Sequence, residues 1–253
     1  MKKWGLACLA LLAANTLVAQ VNQIATIKPT AQAEAQYVWR TVCDMNFFEK
    51  NGYNVALPQH PYLDKIVAMV RQQQLPNSAY DSLQVVMEHS IFDSQKYQKG
   101  IKQVTAAIPI IEKALERMKE YAPLWNFKIF AQYQLNLTLY GPGGSYDCNN
   151  GSILLQTTAD GKFKMYSNPA YTIIHEMVHI GIEQPIVQKY QLPHAIKEQI
   201  VDLFVEKHFK DLLPEYRKQP MGNQKVEELL QTKDDFKNLP KKVEQLVVQL
   251  QNK

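Results

Sequence analysis

From Asn168 to Gly181 the sequence reads Asn-Pro-Ala-Tyr-Thr-Ile-Ile-His-Glu-Met-Val-His-Ile-Gly, which sets two imidazoles and a carboxylate into one short, otherwise apolar segment. Pro169 suits the first turn of a helix, where its missing N–H would be unpaired in any case, and Asn168 can cap the exposed donors. On that helix His175 and His179 project from one face, while Glu176 lies about 100° round the axis. Two histidines on one face can hold one metal ion. A catalytic zinc takes three protein ligands and leaves a position for water, and a general base must reach that water rather than the metal, which is where Glu176 stands. The bland alternative is a core helix whose histidines only satisfy hydrogen bonds. Ile173, Ile174, Met177, Val178 and Ile180 bury the segment nearly all round, and a buried Glu176 without a function would be costly, so the balance favours metal.

Three side chains downstream could complete the ligand set: Glu183, His194 and Glu198. Glu183 shares the histidine face, yet on an unbroken helix it stands about 12 Å along the axis from His175, too far for one ion. It would need the helix to end at Gly181. His194 and Glu198 belong to a second helical stretch, Pro193 to Phe209, where His194, Glu198 and Asp202 recur every four residues along one face. Spacing alone does not choose between them.

The elements that must position these groups follow from periodicity. Ala31 to Lys50 reads as a helix closed by Asn51-Gly52; Pro61 to Gln74 and a stretch through Leu83, Val86, Met87 and Ile91 read as two more. Pro109 opens a fourth over Ile110 to Tyr121, with a charged wet side. The texture then changes. From Lys128 to Tyr140 apolar odd positions alternate with Gln132, Gln134, Asn136 and Thr138, the period of a half-buried strand. Gly141-Pro142-Gly143-Gly144 breaks it, Ser152 to Thr158 forms a second strand, and Ala159 to Lys162 turns into a short third, Phe163 to Tyr166. A small sheet thus precedes the His175 helix and could offer an edge to an extended peptide. Pro214 to Lys253 holds amphipathic pieces punctuated by Gly222 and Pro240. The expected class is α+β, mainly helical.

Met1-Lys2-Lys3 followed by an apolar run to Ala14, with a small residue at Ala19, has the form of a bacterial secretory signal over residues 1–19. Residues 20–253 then form a single domain with a helical N-terminal half (about 20–126) and a metal-site half (about 127–253). Cleavage removes Lys2 and Lys3, taking the formal charge from +4 to +2. Nothing in that near-neutral chain favours nucleic acid, and no later stretch reaches the roughly 20 apolar residues of a membrane span. Cleavage also leaves Cys43 and Cys148 as the only thiols, able to form one disulfide in an oxidising compartment or to remain separate.

His175-Glu176-Met177-Val178-His179 resembles the HExxH of zinc metallopeptidases, and Glu198-Gln199-Ile200-Val201-Asp202, nineteen residues beyond His179, resembles the ExxxD segment of the thermolysin-like, or gluzincin, group. The metzincin pattern does not fit, since it needs a histidine where Pro185 stands. The resemblance covers roughly Gly151 to Phe209. It implies a zincin-like region in which a small sheet precedes the HExxH helix and a glutamate-bearing helix follows. It also implies that His175, His179 and Glu198 bind Zn2+, that Glu176 activates the water, and that Asp202 accepts a hydrogen bond from a ligand histidine. The downstream His or Tyr that stabilises the oxyanion in many such enzymes has no obvious counterpart; Tyr190, His208 and Tyr216 are the candidates. The expected protein is an exported zinc metallopeptidase acting on peptides or proteins. The alternatives are a zincin-like domain that binds a peptide or glycan without cutting it, and a helical interaction protein without metal.

Overall fold

A computed structural model describes residues 23–220 and 222–251; the segment read as a secretory signal lies outside the described residues. The first described element is a short strand, β1 (Ile24–Thr26), and four helices follow: α1 (Ala31–Cys43), α2 (Met45–Lys50), α3 (Pro61–Arg71) and α4 (Ala79–Val86), the last continuing as a π turn over Met87–Ile91. Their apolar faces close on one another through Val38, Val42, Leu63, Ile66 and Leu83. Thr30 starts α1 by accepting from the Ala33 amide at 3.1 Å. The single helix expected from Ala31 to Lys50 is two. Asp44 leaves helical geometry between them, and the Asn46 carboxamide donates to the Val70 carbonyl at 3.2 Å, turning α2 onto α3. Gly52, at φ 70°, ends the pair as Asn51-Gly52 suggested.

A 3-10 turn leads into the long helix α5 (Gln98–Lys119), followed by the short α6 (Ala122–Trp125). Pro109 therefore lies inside a helix rather than at its start. The reason is packing: Val104, Ala107, Ile111, Ala114, Leu115 and Met118 are buried on one continuous stripe, and their burial outweighs the one hydrogen bond that proline removes. These residues join the apolar core of the site-bearing half.

The sheet comprises β1, β2 (Tyr133–Thr138), β3 (Ser145–Asp147) and β4 (Ser152–Gln156), in the order β1-β2-β4-β3. The first three in that order run parallel, and β3 pairs antiparallel with β4 as an edge. The strand expected from Lys128 to Tyr140 shrinks to β2, where Tyr133, Leu135 and Leu137 are buried and Gln134 is exposed. It ends where the Leu139 amide donates to Glu34 of α1 at 2.9 Å instead of to the ladder. The expected strand from Phe163 to Tyr166 is reduced to one bridge, Phe163 with Thr157, because the Thr158–Lys162 turn bonds to itself. Neither β1 nor β3 was anticipated.

Behind the sheet runs α7 (Ala170–Ile182), continued by a π-helical stretch over Glu183–Gln188; α8 (His194–Phe209), α9 (Gln224–Leu229), α10 (Lys233–Lys237) and α11 (Leu239–Gln251) follow. Asn168 caps α7 by accepting from the Ala170 amide at 3.0 Å, with Pro169 one residue outside the helix. Gly181 does not break α7. A Cβ there would stand 1.9 Å from the Phe127 ring, so glycine is what lets that ring close against the helix. The class is α+β, mainly helical, with a small mixed sheet. Among the described residues no helix is long and apolar enough to cross a membrane. Cys43 is exposed, Cys148 is partly exposed, and both are free thiols.

Candidate metal centre

Helices α7 and α8 bring His175, His179 and Glu198 to one point. The two Nε2 atoms stand 3.0 Å apart, and Glu198 Oε2 lies 3.2 Å from His179 Nε2 and 3.4 Å from His175 Nε2. Zinc bonds of about 2.0–2.1 Å in a tetrahedron separate neighbouring ligand atoms by about 3.3 Å, which is the size of this triangle. Among the described residues it is the only such grouping of three metal-ligating side chains. Glu183 is not part of it: its carboxylate accepts from the Tyr146 hydroxyl at 2.7 Å. His194 stays at the rim, its side chain 61% exposed, 3.5 Å from the other Glu198 oxygen.

The hydrogen bonds behind His175 determine its tautomer. Tyr216 Oη lies 2.6 Å from His175 Nδ1 and 2.6 Å from Asp202 Oδ1. Burial and the neighbouring Asp202 raise the phenol well above its ordinary range, so it keeps its proton and donates it to the carboxylate. Its oxygen then accepts the Nδ1–H of His175 and turns Nε2 toward the Glu198 carboxylate; burial lowers this imidazole's pKa, but Glu198, Glu176 and Asp202 together raise it, so the two groups share a cation or a proton between them. Asp202 thus meets His175 through Tyr216, the direct Nδ1 to Oδ1 distance being 3.5 Å. Its second oxygen accepts the Gln219 amide at 2.6 Å, and the Gln219 side chain donates to Glu198 Oε2 at 2.8 Å.

The electrostatics suit a ligand set. Burial pushes the Glu198 carboxyl up, yet hydrogen bonds from His175 and His179 outweigh it and hold the group below the ordinary carboxylate range. Burial drives His179 down to about 4, against its bond to Glu198, so the imidazole is neutral and free to ligate at neutral pH. Burial raises Glu176 to about 7, with His175 opposing and Glu198 adding to the rise. The Glu176 carboxylate lies against the start of the edge strand: a Cβ on Gly144 would stand 3.1 Å from its Oε1.

The other candidates lie elsewhere. Tyr216 sits behind His175, on the side away from Nε2, and His208 is buried against Tyr121 and Phe204. Tyr190 lies beneath Lys189. Sequence reasoning missed Tyr146, whose ring stacks on His179 at 5.0 Å and 8°, and Lys197, whose Nζ reaches the Tyr146 hydroxyl at 3.3 Å. Tyr146 lies on a three-residue strand beyond a Gly/Pro break, and no local spacing links it to the histidines. Gly144 and Gln219 were missed for the same reason. No protein-family model, curated protein or solved structure matches the chain, so the geometry of the site carries the functional argument.

Proposed function

We propose that the protein is an exported zinc-dependent peptide hydrolase in which His175, His179 and Glu198 hold the ion and Glu176 is the general base. The observation that carries this reading is the triangle of donor atoms, 3.0, 3.2 and 3.4 Å on its edges, with a buried carboxylate on the same helix beside it. Zinc supplies Lewis acidity, polarising a carbonyl and making water nucleophilic near neutral pH. Glu176, raised by burial to about 7, suits the transfer of a proton from the attacking water to the leaving amine. Tyr216 and Asp202 hold His175 in the tautomer that ligates through Nε2.

The peptide as substrate is supported by the edge strand. β3 pairs with β4 on one side, and Gly144, just before it, abuts Glu176. An extended peptide added to the other side of β3 would pass beside the general base. Export rests on the residue pattern of the N-terminal 19 residues.

The test begins with metal content. Purified protein should carry one equivalent of zinc, lost or weakened in His175→Ala and Glu198→Ala. Glu176→Gln should bind zinc as the natural protein does while cleavage of a peptide library falls by about 10²-fold or more. No zinc bound even when zinc is supplied, or normal cleavage by Glu176→Gln, overturns the proposal.

A further inference from the structure

The two ligand histidines are supported in different ways. Bound through one nitrogen, an imidazole is oriented by a hydrogen-bond acceptor on the other, as Tyr216 provides for His175. His179 lacks that support: among the described residues nothing hydrogen-bonds its Nδ1, although the side chain is only 2% exposed. Its neighbour is the Tyr146 ring, parallel within 8° at 5.0 Å between centroids. Turning the imidazole about its Cβ–Cγ bond would drive its edge into that ring face. The ring face can therefore do what the missing acceptor does not.

Tyr146 is itself held from two sides. Its hydroxyl donates to Glu183 Oε2 at 2.7 Å and accepts from Lys197 Nζ at 3.3 Å, and the same ammonium lies 5.6 Å from the ring centroid. Glu183 is one helical turn beyond His179, and Lys197 precedes Glu198. The clamp thus grips the continuation of α7 and the start of α8, the two helices whose separation sets the ligand triangle. An aromatic that only filled space would need neither charged partner.

We infer that Tyr146, clamped by Glu183 and Lys197, is a positioning residue that orients His179 for metal through ring stacking rather than through a hydrogen bond. The inference rests on the metal-site reading above. It is tested by zinc titration against a chromogenic chelator, the visible spectrum of the cobalt-substituted protein, and the melting temperature of the metal-free form.

Tyr146→Leu keeps apolar bulk but removes the ring plane. It should weaken zinc about 10- to 100-fold and shift the cobalt bands. Tyr146→Phe keeps the stack and loses the clamp, and should weaken zinc about fivefold. A merely structural role would lower the metal-free melting temperature while leaving the cobalt spectrum in place. Natural affinity and spectrum in the Leu variant overturn the inference while the metal site stands; should that variant fail to fold, natural affinity in Tyr146→Phe overturns it. If the natural protein binds no zinc, both readings fall together.

Discussion

Replacing Tyr216 with phenylalanine tests how the site holds His175. The substitution removes one oxygen that makes two bonds of 2.6 Å, to His175 Nδ1 and to Asp202 Oδ1, and keeps the ring that stacks near Tyr166. Hydrogen bonds to charged groups contribute about 1.5–3 kcal/mol, and each 1.4 kcal/mol is tenfold in affinity, so complete loss would weaken metal about 10- to 100-fold. Recovery is partial. Asp202 Oδ1 already stands 3.5 Å from Nδ1, and a small movement would let it accept the imidazole N–H directly. The expected loss is therefore about tenfold. Asp202→Asn should cost less, because its one amide oxygen can still accept from Tyr216, giving up the Gln219 amide instead. Zinc affinities of both variants, measured by chelator competition, decide the matter. Natural affinity in Tyr216→Phe, or a larger loss in Asp202→Asn than in Tyr216→Phe, would refute the relay.

Further expectations concern the surroundings of the site. Gly144→Ala places a methyl 3.1 Å from Glu176 Oε1 and 3.0 Å from Thr172 Cγ2, so peptide turnover should fall several-fold while zinc affinity holds; parallel kinetics and metal titration check this. Gly181→Ala should destabilise by about 3 kcal/mol, since the added methyl meets the Phe127 ring at 1.9 Å, and the denaturant midpoint measures it. Glu34 is buried, and desolvation raises its carboxyl above the ordinary 4.5 despite bonds from the Leu139 amide and from Tyr97 and Thr138. The folded state therefore binds this proton more tightly than the unfolded chain. Its contribution is fully present below 4.5 and is lost as pH rises through the raised value. Urea midpoints of the natural protein should fall relative to Glu34→Gln across that window, and parallel curves would contradict the assignment.

The two histidines were legible because their spacing is local, whereas spacing left His194 and Glu198 level and only the resemblance to ExxxD chose Glu198. His175 and His179 are one helical turn apart, and Glu198 and Asp202 repeat that spacing on a second helix, so two short periodic segments and one contact between helices complete the triangle. Of the groups that support the histidines, the resemblance signalled Asp202 alone. Tyr216 reaches His175 from 41 residues away and Tyr146 reaches His179 from 33, through segments without regular patterning, and only tertiary folding brings them together. Sequence punctuation misled in one place. Pro109 reads as a helix start by local rules, but the buried stripe from Val104 to Met118 crosses it, and burial of six apolar side chains outweighs one missing hydrogen bond. The strand endings failed similarly: β2 stops where a carboxylate from α1 captures the Leu139 amide, an event that Lys128 to Tyr140 cannot signal alone.

The contact between Phe127 and Gly181 also bears on the rotation of α7 about its own axis. Apart from His175, Glu176 and His179, α7 offers any neighbour much the same greasy surface, with isoleucine, valine and methionine on most sides. A cylinder so uniform could dock at several azimuths of similar energy, each turning His175 and His179 in a different direction. Gly181 is the one notch on it, and Phe127 the one tooth that enters, while the Lys128 amide latches the Gly181 carbonyl at 3.0 Å. Rotated by one residue either way, the tooth would strike Ile180 or Ile182, and the misdocked core would be left short of closure. The keyed joint thus fixes α7, in the folded protein, at the rotation in which both imidazoles look toward α8.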